Sequence, residues 1–281
     1  MDLPTTGEKR RRLKQLLQEP GLKLAPGSAD VLTAKLIVKT GFPAIYISGS
    51  LQHALRGYAD VNALTMSEMV QTAHALANEV PVPCIADAET GFGTSVNVTR
   101  TIREYERSGV AGVHLEDSTV PKKPARLGFD SPVVSTAEFL DKIKCALDAR
   151  VDQGMILIAR SELRGDFDAK FERLQKAVEL GADAFWAGGF SLAEVKKVCA
   201  LLPHPAVSVF PKNITAAEYG ALGVRIGVIP GGMAVAGLMA QRAFLENLAQ
   251  SGDWTQWLES QPGFKEADDH YSEQGRYSIG R

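Results

Sequence analysis

Cysteine is scarce in this chain. Cys84, Cys145 and Cys199 stand far apart and form no CxxC pair. Such spacing supports neither a disulfide framework nor a zinc knuckle, and low cysteine use suits a reducing cytoplasm. Long apolar runs are missing, and the first residues are charged rather than an apolar signal core, so the expectation is a soluble, cytoplasmic protein with no membrane partner. A basic excess is missing as well. The formal net charge is −2, which argues against nucleic acid as a partner. The run Lys9, Arg10, Arg11, Arg12, beside Lys14, reads as a solvated helix face. There is no GxSxG elbow and hence no support for a serine-hydrolase triad. Thr90-Gly91-Phe92-Gly93 lacks the GxxxxGK[ST] pattern of a phosphate loop, and its glycines suit a sharp turn. His53, His74, His204 and His270 show no spacing of a metal cluster.

What is present is alternation. Short apolar, β-branched runs at 22–25, 44–47, 83–87, 112–115, 156–159, 184–186, 206–210 and 225–229 are separated by helical patterns. Gly41, Gly109, Gly181 and Gly223 fall where helix C-caps belong, before strands. Strands alternating with helices imply right-handed βαβ crossovers and a parallel sheet. Eight such units in 281 residues match a closed (β/α)8 TIM-like barrel, with a doubly wound sheet as the alternative. No low-complexity linker appears, so 1–281 reads as a single barrel domain with 251–281 as a C-terminal helical extension. Trp254, Trp257 and Phe264 make that extension too aromatic for a free tail. It is expected to pack on the barrel or on a neighbouring subunit.

Barrel chemistry sits on the loops after the strands. The second strand offers Ser48, Gly49 and Ser50, and Asp60 follows. The third ends in Asp87 and Glu89, the fourth in Glu116 and Asp117, and the fifth in Arg160 with Ser161 and Glu162 next. Asp87 and Glu89 are expected to share a face, since strand side chains alternate with period two. Carboxylates gathered on one rim repel unless a cation sits among them, and magnesium prefers such hard oxygen ligands. The alternative is that each acid caps a helix or pairs with a lysine. Ser48-Gly49-Ser50 is either a plain turn or a nest of N–H groups for a carboxylate. Arg160 is either a structural ion pair or a clamp for an anionic substrate. His114, within the fourth strand, fits the layer behind the site better than a metal ligand. Lys212 and Asn213 follow the seventh strand, either as substrate contacts or as loop residues.

The ordered set Ala86-Asp87-Ala88-Glu89-Thr90-Gly91-Phe92-Gly93, His114-Leu115-Glu116-Asp117 and Ile158-Ala159-Arg160 resembles the isocitrate lyase and phosphoenolpyruvate mutase superfamily. The resemblance covers about residues 22–250. It implies a magnesium-dependent barrel enzyme, with manganese as the other candidate metal. It also implies a homotetramer, a dimer of dimers, whose subunits swap a C-terminal helix. By position, Asp60, Asp87, Glu89 and Glu116 resemble the family's metal-shell acids. Ser48, Gly49 and Ser50 resemble its carboxylate-binding turn, Arg160 its substrate arginine, and Lys122 the lysine of a gating loop at about 118–132. Glu89 stands where most members have aspartate, and its longer arm leaves two alternatives, metal contact directly or through a water.

Two departures bear on the reaction. The family's lyases that split isocitrate or methylisocitrate carry Lys-[Lys/Arg]-Cys-Gly-His in the loop, and the cysteine handles the proton. Here the stretch reads Lys122-Lys123-Pro124-Ala125-Arg126, and the asparagine that phosphonopyruvate-type enzymes have at the position of Pro124 is missing too. Proline carries no side-chain donor. Trp186-Ala187-Gly188 stands where lyase members carry a glutamate, implying a smaller or more apolar substrate. The resulting expectation is a magnesium-dependent carbon–carbon lyase on a small 2-oxo or 2-hydroxy dicarboxylate, acting through a metal-stabilised enolate. Arg160, Lys122 and Glu116 are its catalytic candidates. Ser48, Gly49, Ser50, Asp87, Arg160 and Asn213 are its substrate-binding candidates. Oxaloacetate decarboxylation is the sharpest form. The alternatives are phosphonopyruvate-type carbon–phosphorus chemistry, methylisocitrate lyase-like cleavage without the loop cysteine, and a ligand-binding barrel without catalysis.

Overall fold

The computed structural model describes residues 3–123, 128 and 130–276. Pro124, Ala125 and Arg126, which carry the loop's departure, lie outside the described residues. Among the described residues, eight strands alternate with helices. The strands are β1 (Lys23–Pro26), β2 (Ile45–Ile47), β3 (Cys84–Asp87), β4 (Gly112–Glu116), β5 (Ile156–Arg160), β6 (Ala184–Trp186), β7 (Ala206–Val209) and β8 (Val224–Ile229). The helices are α1 (Thr6–Gln18), α2 (Val31–Lys39), α3 (Gly49–Leu55), α4 (Met66–Glu79), α5 (Ser95–Ser108), α6 (Thr136–Ala149), α7 (Phe167–Glu179), α8 (Leu192–Leu201), α9 (Ala216–Ala221), α10 (Gly232–Ser251), α11 (Thr255–Ser260) and α12 (Phe264–Arg276).

All strand pairs are parallel, in the order β1-β8-β7-β6-β5-β4-β3-β2. A parallel bridge between Gly27 and Tyr46 completes the ring, and the Ser28 N–H donates to the Tyr46 carbonyl at 3.0 Å. A Cβ at Gly27 would lie 2.3 Å from the Pro230 carbonyl oxygen. Glycine is what lets the chain after β1 lie against the end of β8. The fold is the (β/α)8 barrel, not the doubly wound sheet.

Local chemistry sets the helix starts. Thr5 with Glu8, Thr65 with Glu68, Ser191 with Glu194 and Thr215 with Glu218 form capping boxes on α1, α4, α8 and α9. Each cap satisfies N–H groups that have no partner within the helix, and is worth about 1 kcal/mol. Gly41, Gly109, Gly181 and Gly223 all have positive φ, as their C-terminal places require.

Helix α1 closes one end of the barrel. Leu13, Leu16 and Leu17 join Ala44, Ala111, Ile156 and Ala184, which stand at the starts of strands, in one buried cluster. This placement corrects the reading of the basic run. Lys9 and Arg10 are buried, while Arg11 and Arg12 are exposed. Lys9 donates to the Ala77 carbonyl at 2.6 Å. Arg10 donates to the Val110 and Glu106 carbonyls and pairs with Asp152. The closed end presents carbonyls at helix ends and before strands, and buried carbonyls take donors wherever the sequence supplies them.

Chain contacts divide into two compact units, Met1–Pro230 and Gly231–Arg281. The second holds α10, α11 and α12. Helix α10 buries none of its side chains, and Leu238 and Met239 are 63% and 70% exposed. Within this unit the Phe244 and Trp257 rings lie 5.6 Å apart, and Trp254 is exposed. Among the described residues, no helix is long and apolar enough to cross a membrane.

Candidate active site

The strand ends opposite α1 carry the acids. Ser48 follows β2 and caps α3, its hydroxyl accepting the Leu51 N–H at 3.3 Å and meeting the Ser50 hydroxyl at 3.0 Å. Ser48-Gly49-Ser50 is therefore the start of a helix rather than a free turn. Its Gly49 N–H already donates to Asp87 Oδ2 at 3.3 Å. A Cβ on Gly49 would fall 2.2 Å from Glu89 Oε1 and 2.8 Å from Asp87 Oδ2. The glycine makes room for both acids.

Asp87 ends β3, and its Oδ1 accepts the Glu89 N–H at 2.9 Å. Glu89 does not continue the strand. Its φ is 50°, so alternation with period two does not explain its direction. A left-handed turn brings its side chain beside Asp87, and the Glu116 N–H donates to its carbonyl at 2.9 Å. Glu116 ends β4 and Arg160 ends β5, in register across the sheet.

Two cations thread these acids. Lys122 Nζ lies 3.4 Å from Asp60, 3.0 Å from Glu89 and 3.1 Å from Glu116. Arg160 lies 3.0 Å from Glu116, 2.6 Å from Glu162 and 3.7 Å from Asp87. Its Nε and Nη2 are taken by Glu162 and Glu116, so Nη1, with only the longer contact to Asp87, is the remaining donor edge. The guanidinium rests 4.9 Å from the Trp186 ring centroid.

Burial and crowding set the charges. Burial first, then the neighbouring Asp87, pushes Glu89 up to about 8 against the pull of Lys122. Burial also raises Glu116, although Arg160 and Lys122 oppose it. Burial works against charged Asp87 too, but His114, Lys122 and Arg160 more than offset it and hold the group below its ordinary range. His114 is itself pushed down to about 3 by burial, so near neutral pH the offsetting charge belongs to Lys122 and Arg160. Burial disfavours both cations, yet the acids around them win and both stay protonated.

The set fits a hard divalent cation. Among the described residues, buried Glu89 Oε1 and both Glu116 carboxylate oxygens accept no hydrogen bond, although Lys122 and Arg160 stand at ion-pair distance from Glu116. Oxygen donors of this kind suit magnesium. A ring nitrogen of His53 and oxygens of Asp60 and Glu89 lie within 4.8 Å of one another, a grouping that histidine spacing gave no sign of. His53 is nonetheless committed. Its Nε2 accepts the Leu64 N–H at 3.2 Å, which leaves Nδ1 to donate to the Gly49 carbonyl at 2.8 Å. Both nitrogens are used, so the oxygens are the ligands that remain.

A cavity of about 650 Å³ opens on this rim, lined by Ser48, Ser50, Asp60, Asp87, Lys122, Arg160 and Trp186 among others. Asp60, Asp87, Glu89, Glu116, Lys122, Arg160, Ser48 and Ser50 thus come together. Gly49 is buried behind the lining, while Lys212 and Asn213 are exposed and stand outside it. His114 lies behind the rim, with Nε2 2.9 Å from the Tyr46 hydroxyl.

Sequence reasoning gave no role to Asn62, Tyr46 or Glu162. Asn62 accepts the Lys122 N–H and donates to Glu89. Tyr46 and Glu162 line the cavity. Only Glu162, two residues past Arg160, carried a signal in its position. Asp117 accepts from Ser161, from the Glu162 N–H and from Arg173, which fixes the segment behind Arg160.

Comparison with known proteins agrees with this geometry. Residues 13–249 match the profile of the phosphoenolpyruvate phosphomutase family. The chain is 38% identical over 228 residues to 2,3-dimethylmalate lyase of Eubacterium barkeri, covering 78% of each. Oxaloacetate acetylhydrolase in complex with 3,3-difluorooxalacetate superposes with a TM-score of 0.84 at 30% identity, over 98% of this chain and 99% of that one. Phosphonopyruvate hydrolase in complex with oxalate and magnesium superposes with a TM-score of 0.85 at 29% identity, over 96% and 97%. With its barrel, its acids at the strand ends and these matches, the chain belongs to the phosphoenolpyruvate phosphomutase family of the isocitrate lyase and phosphoenolpyruvate mutase superfamily.

Proposed function

We propose that the protein is a magnesium-dependent carbon–carbon lyase acting on a small 2-oxo or 2-hydroxy dicarboxylate through an enolate. One observation carries the reading: Asp60, Asp87, Glu89 and Glu116 meet Arg160 and Lys122 at one buried rim that opens on the cavity. Asp60, Asp87, Glu89 and Glu116 would hold the metal, directly or through water. A divalent cation there would supply positive charge for the oxygen of a 2-oxo acid as that oxygen becomes anionic.

The chain's own residues do the rest. Arg160 offers its Nη1 edge to a substrate carboxylate. Ser48 and Ser50 offer hydroxyls to the same molecule from the other side. Lys122 keeps its proton, so it acts as fixed positive charge toward the developing enolate and not as a base. Trp186 walls the pocket and holds the Arg160 guanidinium against its ring.

Oxaloacetate decarboxylation is the narrowest form of this reading, since it asks for no base on a substrate hydroxyl. A second form is cleavage of an alkyl-substituted malate. It is supported by a cavity far roomier than a four-carbon diacid and walled in part by Trp186, Phe190, Leu192 and Val209, and by the likeness to a dimethylmalate lyase. A panel of 2-oxo, 2-hydroxy and phosphono acids with magnesium or manganese decides. Pyruvate from oxaloacetate supports the first form, and a 2-oxo acid from a substituted malate supports the second. Phosphate release from phosphonopyruvate, seen by phosphorus NMR, replaces both with carbon–phosphorus chemistry. Silence on every compound sinks the proposal. The same reading includes a homotetramer in which subunits exchange the C-terminal helix.

A further inference from the structure

Lys122 is anchored in a way that a loop lysine awaiting substrate does not need. It is 5% exposed, and its ammonium contacts acids from three separate segments at 3.0 to 3.4 Å. Its backbone N–H is fastened to Asn62 Oδ1 at 2.7 Å, and the Asn62 amide reaches Glu89 Oε2 at 3.2 Å. Backbone and side chain are thus both tied to the acid cluster. The carboxylates that hold the ammonium are among those that fit a divalent cation, and two cations crowded onto one set of carboxylates repel each other.

We propose that Lys122 is the resident counter-cation of the acid cluster and competes with the divalent metal for Asp60, Glu89 and Glu116. This rests on the reading of those acids as the metal shell. Without metal, the ammonium bridges the three buried acids and offsets the repulsion between them. With metal, Nζ gives up its acid contacts and turns into the cavity, whose wall Lys122 already forms. Asn62 holds the backbone in both states, so the exchange is a side-chain movement. The released ammonium then adds positive charge facing an anionic substrate. Metal therefore precedes substrate, and the metal binds more weakly than the acids alone would allow.

The test is the affinity of Mn²⁺ for the full chain, followed by electron paramagnetic resonance, in wild type, Lys122→Met, Lys122→Gln and Lys122→Arg. Competition predicts a dissociation constant lower by on the order of tenfold in both neutral variants and within about threefold of wild type in the arginine variant. A second measurement needs no substitution. Acetylation of Lys122 in the wild type, read by mass spectrometry, should speed up by on the order of fivefold when Mn²⁺ saturates the site. Unchanged or weaker Mn²⁺ affinity in the neutral variants overturns the competition, as does an acetylation rate that stays level or falls. If wild type binds Mn²⁺ and Asp87→Asn does not, that failure touches Lys122 alone. If no form binds Mn²⁺, the metal-shell reading falls with it.

Discussion

A single methyl group at Gly49 tests how tightly the acids are packed. In Gly49→Ala the new carbon would sit 2.2 Å from Glu89 and 2.8 Å from Asp87. Both acids must give way, at a cost of about 1–3 kcal/mol. The expected outcome is a lower midpoint in urea together with weaker Mn²⁺ binding. Glu89 supplies a pH test. Its pKa is pushed up to about 8 in the folded chain from a solution value near 4.3. The folded state therefore holds a proton that the unfolded state has lost between those limits. Its contribution is fully present below the lower limit and is lost as pH rises through about 8. Metal-free protein should lose thermal stability from mildly acidic to mildly alkaline pH, and Glu89→Gln should flatten that slope. A slope of equal size in the variant would locate the titration elsewhere. Asp87, Glu89 and Glu116 were legible in the sequence because they end or follow apolar strands. The direction of Glu89 was not, because a positive φ breaks the alternation that a strand pattern assumes.

Helix α1 shows why whole elements can be read while their surroundings cannot. Apolar alternation and glycine punctuation located the strands to within a residue or two, since both follow from backbone geometry. The basic run of α1 has the composition of a solvated face, and nothing local marks Lys9 and Arg10 as partners for carbonyls far along the chain. Arg10→Ala would leave the Val110 and Glu106 carbonyls and Asp152 short of a buried donor. A loss of about 2–4 kcal/mol is expected, measured by urea unfolding. Leu13→Ala, in the same helix, removes buried volume from the barrel's closed end and should cost about 2–5 kcal/mol. Neither residue approaches the acids, so substrate turnover per folded molecule should hold steady in both. A change in KM would mean that this end of the barrel is mechanically linked to the rim.

For the molecule as a whole, the exposed apolar side chains of α10 bear on assembly. Val235, Leu238, Met239 and Leu245 all face solvent in the isolated chain. Under the swapped-helix reading they are covered by another copy, so Leu238→Asp with Met239→Asp should convert a tetramer into smaller species. Size-exclusion chromatography with light scattering reads this against the 30.3 kDa of one chain. A wild type that elutes as a monomer would remove assembly from the proposal and leave the chemistry standing. The plug formed by α1 has a different consequence. With Leu13, Leu16 and Leu17 packed into one end of the barrel, the cavity is reached from the end that carries the acids. Whatever is made inside must leave by the way the reactant came. Each spent fragment therefore stands in the path of the next arrival, and product should inhibit by competing for entry.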